Sequence, residues 1–255
     1  MRVQDKIVVV TGGASGIGRA MARRFAAEGA AHVAVADMNE DGAREVAQEI
    51  GGSFRKVDVS VEEQVVALID ETESSAGPID LFCSNAGIGG GQGLDSTDEQ
   101  WQRIWDVNVM SHVYAARHLV PKMTPRGGGY LLNTASAAGL LSQIGSVTYA
   151  VTKHAAVALA EWISITHGND GIKVSVLCPQ AVRTAMTAGR DGSVASLDGM
   201  LEPEQVADSV VEALDEERFL VLPHPEVLEY MQRKTSDYDR WLNGMRRLQD
   251  RYTSA

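Results

Sequence analysis

One stretch of this chain carries no charge. From Gly127 to Thr152 there is no Asp, Glu, Lys, Arg or His, and Lys153 closes the run. A membrane helix is excluded, because Asn133, Thr134, Ser136, Ser142, Gln143, Ser146, Thr148 and Thr152 interrupt the run, as do its glycines. A buried strand, a loop and the start of a helix account for it better. Cysteine is also scarce. Cys83 and Cys178 are the only two, both in apolar strand-like contexts, which fits free thiols in a reducing compartment better than a disulfide. Positive charge is in deficit: 23 Lys and Arg against 34 Asp and Glu give a net charge of −11, which argues against a nucleic-acid partner. No charged-then-apolar leader precedes Asp5, and no linker, repeat or low-complexity tract is evident. A cytoplasmic protein with no membrane partner and no metal is expected. The 255 residues suit one large α/β domain.

Short apolar runs alternate with helical patterns along the whole length. Strands are expected at Lys6–Thr11, His32–Ala36, Phe54–Val59, Ile79–Ser84, Tyr130–Thr134, Lys173–Cys178 and Phe219–Leu222. Helices are expected from the Gly-rich turn to Glu28, at Glu40–Ile50, after Ser60, at about Glu99–Met123, at Tyr149–His167 and at Glu204–Asp215. Ala20, Met21, Phe25 and Ala27 give the first helix an apolar face, and Ser60 with Glu63 reads as a capping box. This alternation predicts a Rossmann-type, doubly wound parallel sheet in a three-layer αβα arrangement, a single domain.

Directly after the first strand, TGGASGIG places Gly12, Gly16 and Gly18 in a turn that leads into a helix. Glycines let the backbone turn sharply and let a pyrophosphate approach the helix N-terminus. Asp37 ends the second strand, where a carboxylate accepts from both hydroxyls of an adenosine ribose and repels a 2′-phosphate. Neither Ser15 nor Met38 offers the cation that such a phosphate needs, so NAD is expected over NADP, with Arg19 as a mild counter-signal. Asp58 is either a helix-preceding acid or a partner for the adenine edge.

Tyr149 and Lys153 stand four apart on one helix face, with Ser136 upstream at the end of an apolar strand. A phenol, a cation and a hydroxyl in a dry site suit acid–base chemistry on an alcohol or ketone. With TGGASGIG, Asn85-Ala86-Gly87, Asn108, Ser136 and Tyr149-x-x-x-Lys153 in this order, the sequence resembles the classical short-chain dehydrogenase/reductase family over residues 3–225. The resemblance implies that Tyr149 is the general acid/base, that Ser136 orients the substrate oxygen, that Lys153 binds the nicotinamide ribose and lowers the tyrosine pKa, and that Asn108 holds a water in a proton relay. It also implies cofactor contacts from Ser15, Ile17, Val59, Asn85, Ala86, Gly87, Pro179, Val182 and Thr184.

The sequence departs from the family pattern at two points. Ser84 stands where the family usually has Asn, and Gln180 follows Pro179 where it has Gly. The glutamine narrows the pocket or adds a polar substrate contact. Ala138, Leu140, Leu141 and Ile144 are expected to give an apolar wall, with Ile88 adding to it, and Gln143 and Met186 to touch substrate. The segment from Ala185 to Leu201 reads as a lid. A modest, mostly apolar secondary alcohol or ketone is the expected substrate, unless Arg183 or Arg190 points inward. The helix from Tyr149 is apolar nearly all round, so a second subunit is expected to cover one side, in a homodimer or homotetramer. Residues 226–255 form a helical extension, either docked on its own domain or crossing to a neighbour. A catalytically silent NAD-binding scaffold is the alternative to an enzyme.

Overall fold

The computed structural model describes residues 1–90, 93–188 and 194–253. Seven parallel strands form one sheet: β1 (Ile7–Thr11), β2 (His32–Asp37), β3 (Ser53–Lys56), β4 (Leu81–Ser84), β5 (Gly129–Thr134), β6 (Ile172–Leu177) and β7 (Leu220–Val221). Their spatial order is β3-β2-β1-β4-β5-β6-β7, so the winding reverses between β1 and β4. Ligands bind at such a switch point, beyond the carboxyl ends of the strands.

The sheet has a core on each side because strand residues alternate in direction. Val8 and Val10 of β1 face one core with Met21, Phe25 and Val210, while Val9 faces the other with Phe82, Leu119 and Ile163. The first core is covered by α1 (Gly16–Ala27), α2 (Glu40–Ile50) and α7 (Pro203–Asp215). The second is covered by α3 (Glu62–Ser75), α5 (Ser111–Met123) and α6 (Val147–His167). This is the predicted three-layer, doubly wound arrangement. Val8, Val9 and Val10 each meet apolar side chains on their own side, which is why the strand reads as an apolar run.

Several boundaries differ from the sequence reading, each for a local reason. The strand expected at Phe54–Val59 pairs only as far as Lys56. Ser60 does not cap α3: its backbone N–H and its hydroxyl both donate to Asp58 Oδ1, at 3.0 and 2.6 Å, and the N-cap falls on Val61. The carboxylate two residues upstream captures the hydroxyl before it can reach the helix. Ala27 is exposed and takes no part in the apolar face of α1. The single long helix expected over Glu99–Met123 is interrupted. Between α4 (Asp98–Trp105) and α5 lies a π turn, Asp106–Met110, in which the Ser111 N–H bonds to the Asp106 carbonyl. One such extra residue per turn is a recurrent device at functional sites, and here it carries Asn108.

The C-terminal segment forms α8 (Glu226–Ser236) and α9 (Tyr238–Thr253). It lies against its own chain. Val227 is buried with Ala137 and Leu141, and Tyr230, Met231 and Trp241 pack against this group. Lys234 Nζ donates to the Leu140 carbonyl at 2.6 Å. The two helices therefore brace the loop that follows β5.

Candidate active site

The strand ends on either side of the switch point are tied together by side chains. Thr11 Oγ1 donates to the Cys83 carbonyl and accepts from the Asn85 and Ala86 N–H groups, at 2.9 and 3.1 Å. Asn85 Nδ2 donates to the Thr11 carbonyl at 3.0 Å, and its Oδ1 accepts from Thr134 Oγ1 at 3.1 Å. One carboxamide thus locks β1, β4 and β5 in register at the rim of a cleft of about 390 Å³. Thr11 opens the TGGASGIG motif, and its role as a tie follows from sitting at the end of the central strand.

The Gly-rich turn forms one wall. A Cβ on Gly18 would come within 2.1 Å of the Gly12 carbonyl oxygen, and Gly16 has a φ of +51°, so neither position tolerates a side chain. Ser15 N-caps α1 without a side-chain bond to the first turn. The helix-end N–H groups at Ile17 and Gly18 are therefore left for an anion at the cleft. Asp37 Oδ2 accepts from the Ala14 N–H at 3.1 Å and Oδ1 from the Asn39 N–H at 2.9 Å, which fixes the carboxylate at the end of β2.

Asp58 and Val59 line the same end of the cleft. Burial tends to raise the Asp58 pKa, but hydrogen bonds from Ser60 and the charge of Arg103 outweigh it and hold the carboxyl below its usual value. Arg103, Met38 and Val107 also line this end. Arg103 Nη1 reaches Ser60 Oγ at 3.0 Å and Asp58 Oδ2 at 3.6 Å. Sequence reasoning did not single out Arg103 or Val107, because α4 and the π turn after it bring them to the cleft from elements remote from the glycines.

The opposite end holds Ser136, Tyr149 and Lys153. Ser136 caps a short 3-10 turn, its Oγ accepting from the Ala138 N–H at 3.1 Å and donating to the Pro179 carbonyl at 3.4 Å. Lys153 is 3% exposed, donates to the Thr134 carbonyl at 2.9 Å and stands 5.6 Å from the centre of the Tyr149 ring. Burial pushes its pKa down to about 8. Burial pushes the Tyr149 hydroxyl above the ordinary phenol value, against the hydrogen bond from Ser136, which lowers it. Asn108 is wholly buried behind this group and does not line the cleft. It grips the loop after β4, with Oδ1 accepting from the Ile88 N–H and Nδ2 donating to the Ile88 carbonyl, both at 2.9 Å. Nδ2 also reaches Thr152 Oγ1 at 3.3 Å.

Gly12, Ser15, Gly16, Ile17, Gly18, Asn85, Ala86, Gly87, Pro179, Gln180, Val182, Thr184 and Met186 all stand in the cleft wall. Ala138 and Gln143 do not. Ala138 is buried, and Gln143 Nε2 turns to the Ile144 carbonyl at 3.1 Å. The apolar wall expected from Ala138 to Ile144 is turned instead toward the C-terminal helices, through Leu140 and Leu141. Arg183 pairs with Glu202 at 2.9 Å and stands outside this cleft, while Arg190 lies outside the described residues, as do 189–193 of the expected lid. Among the described residues no cluster of His, Cys, Asp or Glu could hold a metal ion, and no helix is long and apolar enough to cross a membrane.

Known proteins resemble this chain in sequence and in fold. The family model described as short chain dehydrogenase matches residues 6–193. The chain is 36% identical over 236 residues to 1-deoxy-11-beta-hydroxypentalenate dehydrogenase of Streptomyces exfoliatus, covering 89% of this chain and 86% of that one. It is 33% identical over 222 residues to meso-2,3-butanediol dehydrogenase of Serratia marcescens, covering 81% and 86%. A short chain dehydrogenase/reductase from Burkholderia phymatum, solved in complex with NAD, superposes with a TM-score of 0.85 at 30% identity, covering 94% of this chain and 96% of that one. By its sequence, its sheet order and the cleft at its switch point, this chain belongs to the short-chain dehydrogenase family.

Proposed function

We propose that this protein is an NAD-dependent oxidoreductase that interconverts a secondary alcohol and a ketone, with Tyr149 as the general acid/base. The observation that carries this reading is the gathering of Ser136, Tyr149 and the buried Lys153 at one end of the cleft whose other end is the uncapped turn at Gly16. The dehydrogenase names of the relatives and the NAD in the Burkholderia structure support the same choice.

The chain's residues fit the cofactor. Helix-end N–H groups at Ile17 and Gly18 would hold the pyrophosphate, Asp37 the adenosine ribose, Asp58 and Val59 the adenine, and Asn85 to Gly87 with Pro179, Val182 and Thr184 the nicotinamide half. Bound there, NAD supplies a hydride acceptor and, when oxidised, a positive charge near the phenol. Tyr149 Oη takes the alcohol proton during oxidation and returns it during reduction. Ser136 holds the substrate oxygen against it. Lys153 binds the ribose and favours the phenolate. A phenol ionising near neutrality needs a fall of about 3 pKa units, roughly 4 kcal/mol. Burial works against that fall, so the Lys153 ammonium and the cofactor charge must supply it. Asn108 holds the loop after β4 and, through the π turn, a water of the relay.

The substrate is a small alcohol or ketone, met by Gln180 and Met186 at the cleft wall. The exposed apolar face of α6, with Val151, Trp162 and Ile165, suits a homodimer or homotetramer. The buried thiols Cys83 and Cys178 suit the cytoplasm. Residues 1–225 are the catalytic unit, and residues 226–255 its extension. Tyr149→Phe should abolish NAD-dependent oxidation across a panel of secondary alcohols while NAD still binds, as read by calorimetry. Turnover retained by this variant would refute the assignment.

A further inference from the structure

One helix face ties down both loops that border the Ser136 end of the cleft. Tyr230 and Lys234 stand four apart on α8, one above the other. Both lie past residues 6–193, the part of the chain that the family model matches. Lys234 Nζ donates to the Leu140 carbonyl at 2.6 Å, on the loop that begins with Ser136. Tyr230 Oη donates to Asp198 Oδ1 at 2.8 Å. Burial and this carboxylate push the Tyr230 phenol up to about 12, so it remains a donor across the working range. Asp198 belongs to residues 194–201, which are stitched to the chain just after β6. The Ala181 N–H donates to the Ala195 carbonyl at 3.2 Å, the Arg183 N–H to the Leu201 carbonyl at 2.9 Å and the Leu201 N–H to the Ala181 carbonyl at 3.1 Å. Gln180 and Val182, on that same stretch, line the cleft. The two loops also meet directly, because the Pro179 carbonyl accepts from the Ala137 N–H at 2.9 Å and from Ser136 Oγ at 3.4 Å.

We propose that Tyr230 and Lys234 are positioning residues for the substrate: through them α8 holds the Ser136 loop and residues 194–201 at a fixed separation, and this sets the bulk of the alcohol or ketone that the cleft accepts. The inference rests on the reading of Ser136 and Tyr149 as the substrate end. Neither Tyr230 nor Lys234 lines the cleft, so each acts through the loop it holds. The Ser136 loop is a tight turn with its own N–H groups engaged. Gly139 donates to the Ser136 carbonyl at 2.8 Å, and Leu140 and Leu141 donate to the Ala137 carbonyl at 3.0 and 2.9 Å. Such a turn moves as a unit, so a restraint at Leu140 is felt at Ser136. The other loop reaches the cleft through its bonds to the stretch that carries Gln180 and Val182. Since both ties leave one helix face, the loops part only if a bond breaks or α8 tilts. Val227, buried with Ala137 and Leu141, resists the tilt. His224, in the turn before α8, adds to the frame, its Nδ1 accepting from the Gln180 N–H at 3.2 Å. The device selects on the size of the group beside the alcohol carbon and takes no part in proton or hydride transfer.

The test pairs steady-state kinetics with amide hydrogen exchange on the full chain. Lys234→Met keeps the aliphatic stem and loses the donor, and Tyr230→Phe keeps the ring and loses the hydroxyl. In both, the ratio of kcat/KM for 1-phenylethanol to that for 2-butanol should rise about fivefold, whichever alcohol the wild type prefers, since two small restraints of a hydrogen bond each are being released. The Kd for NAD should not move. Exchange should quicken at Gly139 to Leu141 in Lys234→Met and at Leu197, Gly199 and Leu201 in Tyr230→Phe. Asp198→Asn keeps an acceptor for Tyr230 and should match the wild type, whereas Asp198→Ala should match Tyr230→Phe, and the Tyr230→Phe, Asp198→Ala double variant should add nothing further. An alcohol ratio unmoved in Lys234→Met and Tyr230→Phe overturns the inference, even where the melting temperature falls, because that is the signature of helix docking alone. Equal ratios in Asp198→Asn and Asp198→Ala overturn it as well. Exchange needs neither cofactor nor substrate. A wild type that turns over no alcohol, with exchange quickened as stated in the variants, counts against the dehydrogenase reading and leaves the ties in place. Turnover with unchanged exchange and an unchanged ratio counts against the ties alone.

Discussion

Asn108 holds Ile88 by both atoms of its carboxamide, Oδ1 to the N–H and Nδ2 to the carbonyl, each at 2.9 Å. The two residues are twenty apart in sequence, and the bonds pin the loop that carries Gly87 against the π turn. Asn108 thereby acts as a clamp on the cleft as well as a member of the proposed relay. A Cβ on Gly87 would come 3.3 Å from Asn108 Oδ1 and 3.4 Å from Lys153 Nζ, so the loop, the clamp and the cation are packed as one unit.

Asn108→Leu should therefore lose stability as well as activity. It leaves the Ile88 N–H and carbonyl without partners inside the fold, at about 1–3 kcal/mol for each buried group. A drop of about 2 kcal/mol or more in urea unfolding is expected, with a fall in kcat. Asn108→Asp keeps an acceptor for the Ile88 N–H and should lose less stability. Equal unfolding midpoints for wild type and Asn108→Leu would show that the clamp is not a structural one.

Asp37 is fixed by two backbone N–H groups and stands in the cleft at the end of β2. Asp37→Ala should raise KM for NAD about tenfold with little change in kcat, because the proposed contact with the ribose is lost equally in ground and transition states. The same variant should begin to use NADP, since the carboxylate that repels a 2′-phosphate is gone. The measurement is a pair of cofactor titrations at a fixed alcohol concentration. A fall in kcat with unchanged KM would place Asp37 in a different role.

The sequence made the fold legible because each central strand is buried on both faces and reads as an unbroken apolar run, as Ile7–Thr11 does. The chemistry was legible where residue type and spacing carry a mechanism of their own, as in the Gly12–Gly18 turn and in Tyr149 with Lys153. What stayed hidden depends on where distant elements meet. Arg103 reaches the cleft because α4 leans over Asp58 and Ser60. Ala138 and Gln143 turn out of the cleft wall, and Leu140 and Leu141 near them pack toward the C-terminal helices. The π turn escaped notice because its residues, Asp106 to Met110, continue a helical pattern and only the backbone registers the extra residue. Ser60 followed by Glu63 looked like a cap, and a competing carboxylate at Asp58 took the hydroxyl.

Lys153 makes stability depend on pH in an unusual direction. Its pKa falls from an ordinary 10.5 to about 8 in the folded chain. Between these values the unfolded chain binds more protons than the folded one, so this group's contribution to stability rises with pH and is lost as pH falls through about 8. Lys153→Met should abolish that rise. It should also raise stability at neutral pH by an amount on the order of 3 kcal/mol, the equivalent of the shift at 1.36 kcal/mol per unit. Urea midpoints of the two proteins at pH values within this window, kept below the ordinary tyrosine range, provide the check. A wild type whose stability from this source falls with rising pH would mean that Lys153 gains a partner on folding and is not held against burial.

Trp162 and Ile165 leave 58% and 82% of their surface exposed on α6, with Val151 on the same helix also exposed. Apolar side chains of this size seldom stand together in water on a surface that nothing covers. A second copy placed there through a two-fold axis would bury the patch on both partners at once, since the same face meets itself. The wild type should therefore run as a dimer or tetramer by light scattering. Ile165→Glu sets like charges against each other across the axis and should shift the protein to monomer at micromolar concentration. Lys153 and Tyr149 sit on the same helix but face inward, so the monomer should keep NAD binding while losing thermal stability. A wild type that is monomeric at high concentration, or an Ile165→Glu variant with unchanged mass in solution, would show that this face is not the one through which the copies meet.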